Sequence, residues 1–152
     1  GTDGGSPMTP RRLDPSIVQA RLSVMRGLLD DLAEVDAAGA PPLTENRMLR
    51  HGVERVLTQL VELATAINEH VVGALLQRVA TSYRESFELA EECGMIDKQL
   101  RDDLLPSVGM RNILVHEYLE IDLRKVTAAV PLALSCYRRY VQQVAEFVSR
   151  VG

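Results

Sequence analysis

This 152-residue chain predicts an all-α, up-and-down bundle of five or six helices, and three observations carry that expectation. Val18, Leu22, Met25, Leu29 and Leu32 recur at spacings of four and three, the interval that places side chains along one helical face. Leu49, Val53, Val56, Leu60, Leu63 and Ile67 repeat the interval over a longer stretch. No alternating β-branched run and no hairpin turn signal breaks the pattern.

The elements follow in order. Gly1 to Pro7 (GTDGGSP) has the small, polar composition of a cloning remnant, so residues 8–152 are expected to form a single domain beginning at Met8. Asp14-Pro15 pairs an N-cap with proline at the first helical position, opening helix 1, which ends before Gly39. A loop at Pro41-Pro42 follows, with Thr44 as the next cap and helix 2 over 45–78. Ser82 and Glu85 have capping-box spacing, and Gly94 sits where a glycine ends helix 3. Asp97 caps a fourth segment that is expected to stop near Pro106, because proline disfavours helical geometry in the residue before it. A loop containing Gly109 then leads to a helical stretch from Val115 to Leu119. Asp122 caps a last helix to Arg150, kinked or split at Pro131.

Composition bounds the function classes. With 46% hydrophobic and 25% charged residues, a real core is available, and disordered or collagen-like chains are excluded. The net charge of −4 leaves no global positive field to draw the protein onto nucleic acid, so any polyanion site must be local. No apolar run reaches the roughly 18 residues of a membrane-spanning helix, and a cytoplasmic location is expected. Cys93 and Cys136 form no CxxC or Cys/His cluster, which excludes a zinc ribbon and fits buried thiols. No metal or cofactor is expected.

One segment carries chemistry. Arg111-Asn112-Ile113-Leu114-Val115-His116-Glu117-Tyr118 gathers polar side chains beside a glycine. On a regular helix at 100° per residue, Tyr118 lies about 20° from Arg111, whereas His116 lies about 140° away and close to Asn112. Arg111 and His116 converge only if Arg111 reaches across from a loop or first turn, or if a second chain supplies the partner group. The plain alternative is a satisfied, partly buried His116 and a surface ion-pairing Arg111.

The string RNILVHEY resembles the Arg-x4-His-x-Tyr signature of the HepT-type toxins, a branch of the HEPN superfamily. LDPSIVQARL, RHGVERVLTQLVELATAINEHVV, SYRESFELAEECGMI and VGMRNILVHEYLEIDLRKV resemble family blocks in the same order, covering nearly the whole chain from Leu13. The resemblance implies a metal-independent endoribonuclease toxin that cuts RNA by 2′-hydroxyl attack and is encoded beside an MntA-type minimal nucleotidyltransferase antitoxin. It also implies a homodimer whose motif segments meet at the two-fold axis, which would answer the mismatch within one chain. Carried onto this sequence, His116 transfers protons, Arg111 clamps phosphate, Asn112 orients either one, and Tyr118 accepts AMP units from the antitoxin. The alternative is a catalytically silent HEPN module that binds a nucleotidyltransferase or a nucleotide.

Other polar residues carry less. His51 and His70 are expected in capping, packing or surface roles, while Glu62, Asn68 and Glu69 are candidates for contacts to the motif from helix 2. Arg84, Arg138 and Arg139 are basic residues that would widen a positive rim.

Overall fold

The computed structural model describes residues 12–38, 43–116 and 118–152 of the chain. These form five α-helices: α1 (Pro15–Ala37), α2 (Arg47–Leu76), α3 (Tyr83–Glu92), α4 (Lys98–His116) and α5 (Leu123–Val151), with a 3-10 turn at Tyr118–Glu120. The expected Pro41-Pro42 loop, residues 1–11 and Glu117 lie outside the described residues.

Local chemistry sets most helix ends. The Asp14 carboxylate accepts from the Ser16 amide at 3.0 Å and caps α1, and the Asp14 amide donates to His70 Nε2 at 3.0 Å. His70 therefore ties the start of α1 to the last third of α2, a structural role. Ser82 accepts from the Glu85 amide, while the Glu85 carboxylate accepts from the Thr81 amide at 2.7 Å. The capping box is thus closed one residue upstream of Ser82 itself. At the other end of α3, Gly94 takes a φ of +87°. The Met95 amide donates back to the Ala90 carbonyl and the Gly94 amide to Glu91, the paired bonds of a Schellman ending that glycine adopts without strain.

Several expectations are corrected. Asn46, not Thr44, caps α2, because its carboxamide accepts from the Leu49 amide three residues on; α2 accordingly runs 47–76 rather than 45–78. Asp97 does cap α4 by accepting from the Leu100 amide at 2.7 Å, but α4 does not stop at Pro106. Leu100, Leu104, Val108 and Leu114 are buried along one continuous face. Pro106 and Asp102 are both exposed, so the carbonyl left without its proline donor faces solvent. Gly109 is consequently helical rather than in a loop, and the helix reaches His116 instead of spanning Val115 to Leu119. Pro131 likewise leaves α5 one helix: Pro131 and Thr127 are exposed, while Val126, Val130, Ala133, Leu134 and Tyr137 hold the inner face in the core. The two thiols are half-buried rather than buried.

The packing follows from the stripes. Val18, Leu22, Met25, Leu29 and Leu32 are all buried, and α1 rests on α2 and α5 without touching α3 or α4. Neighbours α4 and α5 run antiparallel, clamped at three levels: Gln143 Nε2 to Asp97 at 2.8 Å, Arg139 Nη1 to Asp103 at 2.8 Å, and the Ser107 and Tyr137 hydroxyls at 2.7 Å. Among the described residues, no helix is long and apolar enough to cross a membrane.

Candidate active site around Arg111

Arg111 projects from the last third of α4 into the angle between α2 and α3. Its Nη2 donates to Glu62 Oε2 at 3.2 Å and its Nη1 to Asn112 Oδ1 at 3.2 Å. The guanidinium carbon lies 4.5 Å from the centroid of the Tyr83 ring, over its face. Only 16% of the Arg111 side chain is exposed. Its Nε is fully buried and has no hydrogen-bond partner among the described residues. Stacking on an aromatic face and pairing with a carboxylate together hold a planar cation in one orientation. The plain sequence alternative, a surface ion pair, is right about the pairing and wrong about the surface.

A buried polar chain fixes the ring beneath the guanidinium. The Tyr140 hydroxyl lies 2.6 Å from Asn68 Oδ1 and 3.0 Å from the Ala64 carbonyl. Asn68 Nδ2 donates to Ser86 Oγ at 3.2 Å, and Ser86 Oγ donates to the Tyr83 carbonyl at 2.8 Å. Burial holds the Tyr140 phenol well above its ordinary pKa, so it stays a neutral donor. The first turn of α3, and with it Tyr83, is therefore registered against the centre of α2 through groups that are all satisfied.

Apart from Asn112, whose Oδ1 accepts from Arg111, the other motif residues stand away from this cradle. His116 is the last residue of α4 and is exposed, as is Asn112 one turn earlier. On one helix these two share a face, while Arg111 points about 140° away. The structure thus does not bring Arg111 and His116 together within one chain. Tyr118 opens the 3-10 turn after the helix has ended, so the 20° relation to Arg111 expected from a continuous helix does not apply. Among the helix 2 candidates, Glu62 contacts Arg111 directly, Asn68 reaches its surroundings through Ser86 and Tyr83, and Glu69 is exposed. Of the three rim arginines, Arg84 pairs with Glu88 at 3.6 Å and Arg139 with Asp103, while Arg138 is exposed on α5.

Tyr83 lies outside the Arg111–Tyr118 motif. The available signal was its place beside Ser82 at the start of α3, which a sequence cannot relate to Arg111 without the fold. A concavity of about 670 Å³ between α4 and α5 is lined by Pro106, Met110, Ala129, Leu132 and Cys136 among others. It is mostly apolar and includes none of Arg111, Asn112 and His116. Among the described residues, no group of three or more His, Cys, Asp or Glu side chains could hold a metal ion.

Comparison with known proteins gives the family. The tRNA nuclease HepT of Aphanizomenon flos-aquae is 28% identical over 136 residues, covering 90% of this chain and 92% of that protein. The mRNA nuclease HepT of Shewanella oneidensis is 29% identical over 92 residues, covering 60% of this chain and 66% of that protein. A solved structure of a tri-AMPylated Shewanella oneidensis HEPN toxin in complex with MNT antitoxin shares the fold, with a TM-score of 0.77 at 24% identity over 86% of this chain and 97% of that one. The family model described as Ribonuclease HepT-like matches residues 25–144, a span that holds Glu62, Tyr83 and the whole Arg111–Tyr118 segment, and the chain belongs to that family.

Proposed function

We propose that this chain is the toxin of a toxin–antitoxin pair, an endoribonuclease that needs no metal and is neutralised by a nucleotidyltransferase of the MntA type. The observation that carries the reading is the Arg111 guanidinium, held off-solvent by Glu62 and Tyr83 on the helix that ends in an exposed His116. Family membership and the nuclease relatives support RNA as the substrate, and the toxin–antitoxin complex of the same fold supports the partner.

The residue types suffice for the chemistry. The RNA 2′-oxygen forms a bond to phosphorus while the bond to the 5′-oxygen breaks, leaving a 2′,3′-cyclic phosphate. An imidazole takes the 2′-hydroxyl proton or returns one to the leaving oxygen, a contribution of about 10²–10⁴-fold. Arg111 supplies planar donors for the charge that develops on the phosphoryl oxygens. Because one helix points Arg111 and His116 apart, the working site is a homodimer cleft in which one copy's His116 faces its partner's Arg111. Asn112 orients either one, and its Oδ1 accepts from the Arg111 guanidinium at 3.2 Å. Tyr118 is the AMP acceptor: its hydroxyl attacks the α-phosphate of ATP, pyrophosphate leaves, and the added bulk and negative charge block the phosphate site.

Purified protein is expected to cleave RNA in excess EDTA, and His116→Ala to lose at least about a hundredfold of that rate with unchanged helical circular dichroism. Undiminished cleavage by a folded His116→Ala protein overturns the assignment. Co-expression with the cognate nucleotidyltransferase is expected to add AMP mass at Tyr118. Tyr137 and Tyr140 are buried to 1% and 0% exposure and are not available as acceptors, so modification mapped to Tyr83 is the outcome that removes Tyr118 from this role.

A further inference from the structure

An acidic protein that cuts RNA needs a local cationic surface beside its site, and α2 provides one. At 100° per residue, Arg47, His51, Arg55, Thr58 and Glu62 fall within about 80° of one another on this helix. Arg47, His51 and Arg55 are exposed. Glu62, at the upper end of the stripe, holds Arg111. Higher on α2 the same face carries buried Thr65 and Val72 and exposed Glu69, and α3 is the element whose first turn stands at that level through the Asn68–Ser86 bond. Below Glu62 the face is open.

Register brings the motif to this end of the bundle. The Arg111–Glu62 contact pairs α4 with α2, and the Tyr140–Ala64 contact pairs α5 with α2. Since α4 and α5 are antiparallel, the end of α4 at His116, the 3-10 turn and the start of α5 with Lys125 all lie toward the N-terminal half of α2. The described ion pairs on the stripe side neutralise Arg50 through Glu54 at 2.9 Å and Arg111 through Glu62. They leave Arg47 and Arg55 facing solvent. The opposing charge at this end includes Asp30, Asp31, Glu34 and Asp36 of α1, which contacts α2 and α5 but not α4, together with Glu45, Glu54, Glu120 and Asp122 nearer the motif. His70, the α2 residue bonded to α1, lies about 80° around α2 from Glu62. The stripe is therefore mixed in sign, with Glu54 and Glu62 already engaged by Arg50 and Arg111 and with Arg47 and Arg55 outside both pairs.

We propose that Arg47, His51 and Arg55 form a phosphate track along α2 that carries one flank of the RNA strand into the Arg111 site. Successive members are separated by one helical turn, a rise of about 6 Å, so a strand laid along the helix meets a donor at each step. The contacts are to backbone phosphate, which gives position and affinity but no base preference. This assignment rests on the ribonuclease reading and says where the substrate runs.

The test uses full-length protein carrying His116→Ala, so that RNA stays intact, and a fluorescein-labelled single-stranded oligoribonucleotide titrated between about 50 and 200 mM NaCl. Adding Arg47→Gln and Arg55→Gln is expected to flatten the log–log salt slope by about one and a half and to weaken binding several-fold at the lower salt. Arg47→Lys with Arg55→Lys is expected to keep the slope, and Arg21→Gln with Arg26→Gln on α1 to change neither quantity. Cleavage by the otherwise native chain is measured in parallel. Active cleavage with an unaltered slope in the Arg47→Gln/Arg55→Gln protein overturns the track and leaves the ribonuclease reading standing. Loss of antitoxin binding in that variant with RNA affinity unchanged assigns the stripe to the protein partner and equally overturns it. A parent that neither binds nor cuts RNA defeats both.

Discussion

The Arg111 guanidinium sits 4.5 Å above the centre of the Tyr83 ring, joining the motif helix to the first turn of α3. That stack makes the cleavage rate depend on a residue outside the motif. Tyr83→Ala removes a cation–π contact of about 0.5–2 kcal/mol, which corresponds to a fall of about two- to thirtyfold in kcat/KM. Tyr83→Phe keeps the ring face and is expected to stay within about twofold, measured on a labelled RNA substrate.

The Tyr140–Asn68–Ser86 chain predicts a stability defect of a particular kind. Tyr140→Phe leaves the buried Asn68 Oδ1 without its donor, at a cost of about 1–3 kcal/mol. Asn68→Ala exceeds it, because Ser86 also loses a partner. Urea unfolding followed by circular dichroism measures both, and equal stability of wild type and Tyr140→Phe contradicts the assignment.

Acid is expected to loosen the α4–α5 pairing. Hydrogen bonds from Arg139 and then Gln99 hold the Asp103 carboxyl below its usual value, and the Leu100 amide and Gln143 do the same for Asp97. A carboxyl with a lowered folded pKa contributes stability that is present above the unfolded value near 3.8 and is lost as pH falls through the folded one. The thermal midpoint is therefore expected to be level from about pH 7 to 5 and to drop below about pH 4. Asp103→Asn makes that drop shallower.

Gly109 is helical, and a methyl group added there meets nothing within 4 Å. Gly109→Ala is expected to stabilise the protein by about 0.5–1 kcal/mol by restricting the unfolded chain, read as a higher thermal midpoint. A lower midpoint would show that α4 needs its glycine for another reason.

The helices were legible wherever an apolar stripe and a cap agreed, as with Asp14 and the stripe from Val18 to Leu32, or Ser82 with Gly94. They were misread at Pro106 and Pro131, where local proline rules pointed to a break. Whether such a break occurs depends on which side of the helix faces water, and that is a property of the packed bundle. Arg111 and His116 were legible as a pair of residue types with a mismatch in direction. Glu62 stood among several equivalent candidates until the register of α2 against α4 chose it. Tyr83 could not be chosen at all, because its direct stack on Arg111 exists only once α3 is packed beside α4.

Glu62 also sets the terms on which the site changes occupancy. Before any RNA arrives, the arginine is already dehydrated and already bound to an anion, so a phosphate enters by competition with a resident carboxylate. A weakly held anion, such as a stray nucleotide or free phosphate, must displace or share that partner and gains little. A strand held at several points along its length can win the exchange because its phosphate is presented at high effective concentration. The ion pair thus acts as a threshold, favouring long polyanions over small ones without any contact to a base.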